Sequence, residues 1–353
     1  MSWYSRLASL PLRITELRTS TLEKTTRGGW RRWTTVIHLR GPHGSEGRGE
    51  DVTYLENEQD DLLARAHDLA VAGTFTLEEF SRWLDGLPLF GTPPTVLAAH
   101  CYRRWAFESA ALDLALQQAG KSLAQALERP MQPVHYVVSL GLERNRGVAP
   151  LLDLRRQHPA IRFKLDLAEW WTKSLIHDLA RVGGVDVVDF KGQYRGAFQG
   201  PIPDVELYRE VAEGLPHAWI EDPAWDKRLR QALAGHEDRV TWDAPIHSVA
   251  DILLLETRPR ALNMKPSRFG LLEQVLRAYE LCAARGIALY GGGQFELGPG
   301  RDQIQCLAAL FHPDAPNDVA PVAFHGREVD PDVPASPLPP VWNAPGFGVR
   351  STP

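Results

Sequence analysis

The chain has 353 residues, with 39 basic and 44 acidic side chains, a net charge of −5 and an apolar fraction of 44 %, ordinary for a globular protein with a large core. Both signs of charge are interspersed rather than blocked, so neither nucleic acid nor a membrane surface is expected as a partner. Cys101, Cys282 and Cys306 form no C-x-x-C pair, which argues against a disulfide framework or thiolate zinc site and fits small buried hydrophobes in a reducing cytoplasm.

The first residues, Met1-Ser-Trp-Tyr-Ser-Arg, lack a basic region followed by an apolar run, and no window approaches about 18 consecutive apolar residues. A soluble, unprocessed, cytoplasmic chain is expected, with one barrel of about 200 to 250 residues plus a smaller domain. Residues 1–60 read as a small antiparallel sheet: Leu12 to Thr19 alternates apolar and polar, Trp33 to Leu39 is β-branched and aromatic, and Gly41 to Gly47 is a turn. The segment Thr21 to Trp30, with paired glycines at 28 and 29, reads either as a loop that closes over a ligand or as an ordinary hairpin connection.

Helical spacing follows through Leu62, Leu63, Ala66, Leu69 and Ala70, then from Leu77 to Leu84. It returns between Pro94 and Leu127 through Val96, Ala99, Ala106, Ala110, Leu112, Ala115 and Leu116, ending near Gly120. Asp113 beside this stripe reads as a solvated or capped structural carboxylate. Val134 to Leu140 is the expected first barrel strand, with Ser139 at its end facing either substrate or a surface loop.

Five short apolar segments then end in charge: Ala160 to Leu165 with Arg162 and Lys164, Val185 to Asp189, Ala218 to Glu221, Arg239 to Asp243, and Ala261 to Lys265. Between 22 and 32 residues separate Lys164, Asp189, Glu221, Asp243 and Lys265 in succession, room for one helix and its loops each time. Parallel strands in that order deliver their last residues to one rim, where a closed barrel carries its active site. Three carboxylates there would repel one another unless a cation sat between them, and such oxygen ligands suit a hard ion such as Mg²⁺. A helix from Gly270 to Arg285, a seventh strand at Ile287 to Tyr290 and the Gly291-Gly-Gly loop with Gln294 and Glu296 come next. Ile304 to Phe311 is helical, and Val319 to Phe324 is the eighth strand, weakened by Pro321. The proline-rich remainder is expected to wrap back without regular structure.

In order along the chain, these residues resemble the enolase superfamily and its muconate-lactonising and o-succinylbenzoate-synthase branch. Gly44-Ser-Glu-Gly-Arg-Gly-Glu50 resembles the G-x-x-G-x-G-E turn of that family's capping sheet, and Ala106 to Leu127 its helix leading to the barrel. Arg162-Phe-Lys164 resembles the K-x-K pair of the second strand, with Arg for the first Lys. Asp189, Glu221 in Ile-Glu-Asp-Pro, and Asp243 match the metal-binding positions, and Lys265 in Met-Lys-Pro-Ser-Arg-Phe-Gly the sixth-strand lysine. Gly292-Gly-Gln-Phe-Glu-Leu-Gly298 resembles the seventh-strand loop and Pro345-Gly-Phe-Gly348 the tail.

The resemblance implies an α/β fold, a (β/α) TIM-type barrel over residues 131–325 with an N-terminal α+β capping domain over 1–130 and a C-terminal extension over 326–353 packed back on them. It implies one divalent cation, Mg²⁺ or Mn²⁺, at Asp189, Glu221 and Asp243. Lys164 and Lys265 become the catalytic pair, with Arg162, Lys191, Gln294 and Glu296 around the substrate. The expected substrate is a small carboxylate that loses its α-proton, in an o-succinylbenzoate-synthase-like dehydration or in racemisation of an N-acylamino acid or epimerisation of a dipeptide; a non-catalytic member is the third reading. Homo-oligomer formation is left open. Three departures stand out: Lys191 where the family often has Asn, Ala244 where a second carboxylate usually follows Asp243, and a second-strand register in which Lys164 could be the first lysine and Asp166 replace the base. The shared strand face of Arg162 and Lys164 favours Lys164 as base. His247 reads as a cap or core histidine before a substrate contact.

Overall fold

The computed structural model describes residues 2–194, 199–330, 332–340 and 344–348. Five strands form the cap: β1 (Pro11–Ile14), β2 (Glu16–Thr25), β3 (Arg31–Arg40), β4 (Glu46–Asp51) and β5 (Gly73–Thr76). The alternation expected across Leu12 to Thr19 is split at Thr15, so that β1 pairs with β5 while β2, β3 and β4 form a separate antiparallel sheet. Residues 26–30 are therefore the tip of the β2–β3 hairpin, closed by the Thr26 N–H donating to the Trp30 carbonyl at 2.9 Å.

The long helix Ala98–Gln118 is buried on nearly every side beyond Tyr102, and it packs on β4 at a distance only glycine permits. A Cβ on Gly47 would lie 2.2 Å from the Ala110 carbonyl oxygen, and one on Gly49 only 2.0 Å from that of Ala106. Both obstacles are backbone, so no rotamer change relieves them. Gly49→Ala is accordingly expected to destabilise the protein by about 3 kcal/mol, read as a lowered midpoint in urea; an unchanged midpoint would refute this reading of the glycine motif. The same motif ends in Glu50, whose buried carboxylate accepts the amides of Leu297 (2.6 Å), Gly298 (2.9 Å) and Gly300 (3.0 Å), tying the cap to the barrel.

Seven parallel strands follow: β6 (Val138–Gly141), β7 (Phe163–Asp166), β8 (Val185–Asp189), β9 (Trp219–Glu221), β10 (Val240–Trp242), β11 (Ala261–Met264) and β12 (Ala288–Gly291), each hydrogen-bonded to the next in chain order. The expected eighth strand at 319–324 is not a strand. Pro321 has no N–H for a ladder, and Val322–His325 winds into a 3₁₀ turn. The seam between β12 and β6 is bridged instead by two residues: the Val137 N–H donates to the Asn317 carbonyl and the Asp318 N–H to the Gly291 carbonyl, both at 2.8 Å. The Asn317 side chain completes the closure, accepting from the Gly291 amide at 2.6 Å and donating to the His135 carbonyl at 2.9 Å.

Asp113 is buried rather than solvated, and it caps the Arg48 amide (2.9 Å) and the Phe347 amide (2.7 Å). It thereby fixes the returning tail, which also reaches Leu123 and Lys121 through Gly346. The three cysteines are unpaired, and among the described residues no helix is long and apolar enough to cross a membrane.

Candidate active site

The strand register puts the charged residues at the C-terminal rim. Asp166 pairs in register with Asp189, and Asp189 with Glu221, while Asp243 and Lys265 directly follow β10 and β11. Asp166, Asp189 and Lys265 line the floor of a cavity of about 800 Å³ between rim and cap, roofed by Trp30 and Tyr54, while Glu221 and Asp243 are fully buried beneath it. Each of the three carboxylates expected there is held by a cation. Lys164 pairs with Glu221, Lys191 Nζ lies 2.8 Å from Asp189 Oδ2, and Lys265 Nζ lies 2.8 Å from Asp243 Oδ2. Glu221 accepts further hydrogen bonds from the Tyr290 hydroxyl and, at 3.3 Å, from Asn263 Nδ2.

Burial opposes the charge on Lys164, yet Glu221, Asp189, Asp318 and Asp243 together hold its ammonium well above the ordinary lysine range. Lys265 shows the same contest, burial against Asp243, with the same raised outcome. Burial pushes Glu221 up to about 7 while Lys164 pulls the other way. At Asp243 burial loses to Arg268 and Lys265, which hold the carboxylate below its usual range.

The structure corrects the second-strand register. β7 begins only at Phe163, one residue beyond Arg162, and opposite the step from Phe163 to Lys164 the extra residue of a register shift, Asp186, lies in β8. Arg162 lies at the N-terminal end of the strands, half exposed, in a bidentate pair with Asp186, and it does not line the cavity. The β7 residues that do are Lys164 and Asp166, and Asp166 Oδ1 lies 3.0 Å from Lys191 Nζ. Lys191, in the left-handed region at φ 51°, therefore bridges Asp166 and Asp189 at the cavity wall.

Gln294 lines the cavity and accepts from the Tyr54 hydroxyl at 2.8 Å. Glu296 is turned away from the cavity, accepting the Gln294 amide at 2.7 Å and pairing at 3.1 Å with Arg301 of the following helix. His247 borders the cavity, but its Nε2 lies 2.9 Å from the Ala244 carbonyl and burial lowers its pKa. Ser139 faces the cavity beside Lys164.

Two members went unforeseen. Asp222, at φ 50°, is fully buried and accepts the amides of Asp243 (2.8 Å) and Ala244 (2.7 Å), fixing one strand end to the next. Its carboxylate, with those of Asp189 and Glu221, forms the trio whose oxygens lie within 4.8 Å of one another among the described residues. Asp243, expected in that trio, has its two oxygens turned to Lys265 and to Arg268, whose Nη1 lies 3.0 Å away. Arg268 is the second unforeseen member, carried back to the site by the one-turn helix Pro266–Phe269. The sequence signal for Asp222 was its place in Ile-Glu-Asp-Pro; for Arg268 it was the three-residue step from Lys265.

The donor set of Asp189, Glu221 and Asp222 is all carboxylate oxygen, which suits a hard divalent cation. Residues 5–126 and 130–326 match, in order, the N-terminal and C-terminal domains of a family described as a domain of unknown function, DUF8230. The chain is 28 % identical to an o-succinylbenzoate synthase of Geobacillus kaustophilus over 69 % of its own length and 66 %, just under two thirds, of that enzyme's. It is 27 % identical to an N-succinylamino acid racemase of Amycolatopsis sp over 72 % of this chain and 70 % of the other. Its fold matches an enolase-superfamily member from Listeria innocua with a TM-score of 0.64 at 20 % identity, over 88 % of this chain and 83 % of that one. A dipeptide epimerase from Methylococcus capsulatus complexed with Mg ion matches with a TM-score of 0.64 at 19 % identity, over 90 % and 88 %. Matched in both its domains, the chain belongs to the DUF8230 family; it shares the fold of enolase-superfamily members and is similar in sequence to an o-succinylbenzoate synthase and an N-succinylamino acid racemase.

Proposed function

We propose that the protein is an enzyme that removes a proton α to a carboxylate and then eliminates water, as an o-succinylbenzoate-synthase-like dehydratase. The observation that carries this reading is the pair of buried lysines, on strands separated by three others, each held against carboxylates at the floor of one cavity. Asp189, Glu221 and Asp222, with Asp243 beside them, would hold a divalent cation. Such an ion supplies Lewis-acid stabilisation of the charge that develops when the α-proton leaves.

Lys265, rather than Lys164 as the strand face suggested, takes the proton at the α-carbon. It acts as the neutral amine, which burial, Arg268 and a cation held by the carboxylates would favour against the pull of Asp243. The proton it takes leaves with the β-hydroxyl as water. Lys164, deeper and fully engaged by Glu221, keeps its proton and stands as a fixed cation over the enediolate. Lys191 and Arg268 add positive charge at the same floor and orient an incoming carboxylate. The cap residues Trp30 and Tyr54 exclude water from above. Racemisation of an N-acylamino acid, or epimerisation of a dipeptide, is the second reading, favoured by lysines on opposite sides of the barrel, where one could return a proton to the other face.

Incubation with Mg²⁺ in D₂O separates the two. Loss of water from a β-hydroxycarboxylate is the expected result, whereas deuterium washed into an unchanged N-acylamino acid or its enantiomer points to racemisation. Neither reaction on either substrate class, together with Mg²⁺ binding weaker than about millimolar by calorimetry, would leave a non-catalytic binding protein.

A further inference from the structure

Lys191 serves both oxygens of Asp189. Its ammonium lies 2.8 Å from Oδ2, and its own backbone N–H, turned inward by the left-handed conformation at φ 51°, donates to Oδ1 at 2.9 Å. The backbone there is pinned from the next residue: the Gly192 amide donates to the Asp222 carbonyl at 2.7 Å, and a Cβ on Gly192 would lie 2.1 Å from the Ala224 nitrogen. The lysine side chain is freer. It is 29 % exposed at the cavity wall, and 3.0 Å from its Nζ stands a second acceptor, Asp166 Oδ1, on the neighbouring strand and outside the trio of Asp189, Glu221 and Asp222. Lys164 has no such latitude, being almost wholly buried against Glu221 with its next acid, Asp318, 3.8 Å away.

A divalent cation held by Asp189 needs the oxygen that Lys191 Nζ faces, and two positive charges at contact distance from one oxygen repel each other strongly in a buried site. We propose that Lys191 competes with the cation for Asp189 and that Asp166 is the positioning residue that decides the contest. Asp166 takes the ammonium over, so that Asp189 Oδ2 is released to the ion while Lys191 stays at the cavity wall as a fixed cation facing the substrate. No proton moves in this exchange; one cation replaces another against the same carboxylate. Asp166, two residues beyond Lys164, and Lys191, two beyond Asp189, are then a single feature, an acid and a lysine at the ends of adjacent strands that belong together. This rests on the reading above only in giving Asp189 a share in a divalent cation, and it holds for dehydration and racemisation alike.

Mg²⁺ titrations of the full chain by calorimetry, without substrate, test this as a double-mutant cycle. Lys191→Met should bind Mg²⁺ about tenfold or more tightly than the wild type. Asp166→Asn should weaken binding about tenfold while Lys191 is present, because the ammonium is left with Asp189 alone, yet change it by no more than about twofold in the Lys191→Met background. A purely structural or long-range electrostatic role for Asp166 would weaken both backgrounds alike, and that outcome overturns the assignment. So does a Lys191→Met variant that binds Mg²⁺ no more tightly than the wild type, or no binding by any of the four proteins. If a variant folds poorly, Lys191→Gln or Asp166→Ser takes its place with the same expectations. Deuterium exchange at the α-carbon judges the proton-abstraction reading separately: a coupled cycle without exchange condemns only the chemistry, and exchange with an uncoupled cycle only the Lys191 and Asp166 pair.

Discussion

Replacement of Lys265 by alanine is expected to slow α-proton exchange by about 10³-fold, the range in which a positioned general base acts. The side chain follows β11 at the rim, faces the cavity and has its Nζ 2.8 Å from Asp243. The fold should tolerate its loss, because Arg268 remains 3.0 Å from the other oxygen of Asp243 and keeps that buried charge compensated. Removing one partner of a buried pair costs about 3–5 kcal/mol when nothing replaces it, so a smaller penalty, below about 3 kcal/mol, is expected here. Lys265→Arg sharpens the test: it preserves charge and pairing but cannot give up its proton, so exchange should be lost while the melting temperature stays near the wild-type value. Exchange within about tenfold of wild type in either variant would take Lys265 out of the chemistry.

The positions of Asp189, Glu221, Asp243 and Lys265 were legible because a parallel ladder is a one-dimensional code. Each strand is short and apolar, each ends in charge, and chain order equals sheet order, so the last residues share a rim. What the sequence hid is local backbone geometry. The place of Arg162, before the first residue of β7 and paired with Asp186, the residue at which β8 slips register, leaves no mark in composition. The left-handed turn at Asp222, which aims its carboxylate at two neighbouring amides, is adopted by a residue without the freedom of glycine and is imposed by the packing of β9 against β10. Glu296 turns one oxygen to the Gln294 amide of its own loop and the other toward Arg301 of the following helix, a choice spacing cannot reveal. Pro321 did warn against the eighth strand; the substitute, the backbone of Asn317 and Asp318 with the Asn317 side chain closing the seam, was not foreseeable from residues 319–324 because both residues precede them.

Glu221→Gln separates the electrostatic role of the acid cluster from its role as scaffold. The carboxamide keeps the volume and one carbonyl oxygen for the Tyr290 hydroxyl, but removes the charge against which Lys164 is held. Two effects then oppose each other in the metal-free protein. Lys164 loses its closest partner and is left with Asp318 at 3.8 Å, while the repulsion of Glu221 by Asp189 and Asp243 disappears. The first is a contact and the second acts at longer range, so a net loss of about 1–3 kcal/mol is expected rather than the full penalty of a broken buried pair. The cation affinity has no such compensation: one of the trio's charges is gone and an amide is a weaker ligand for a hard ion, so Mg²⁺ binding should weaken at least about 100-fold. Binding to the folded state alone raises the melting temperature. The wild-type protein should therefore melt higher as Mg²⁺ is added, and the variant should start lower and fail to rise. A variant that retains the full Mg²⁺-induced rise would mean that Glu221 serves only to hold Lys164, and the ion, if bound at all, would have to be carried by Asp189, Asp222 and Asp243 without it.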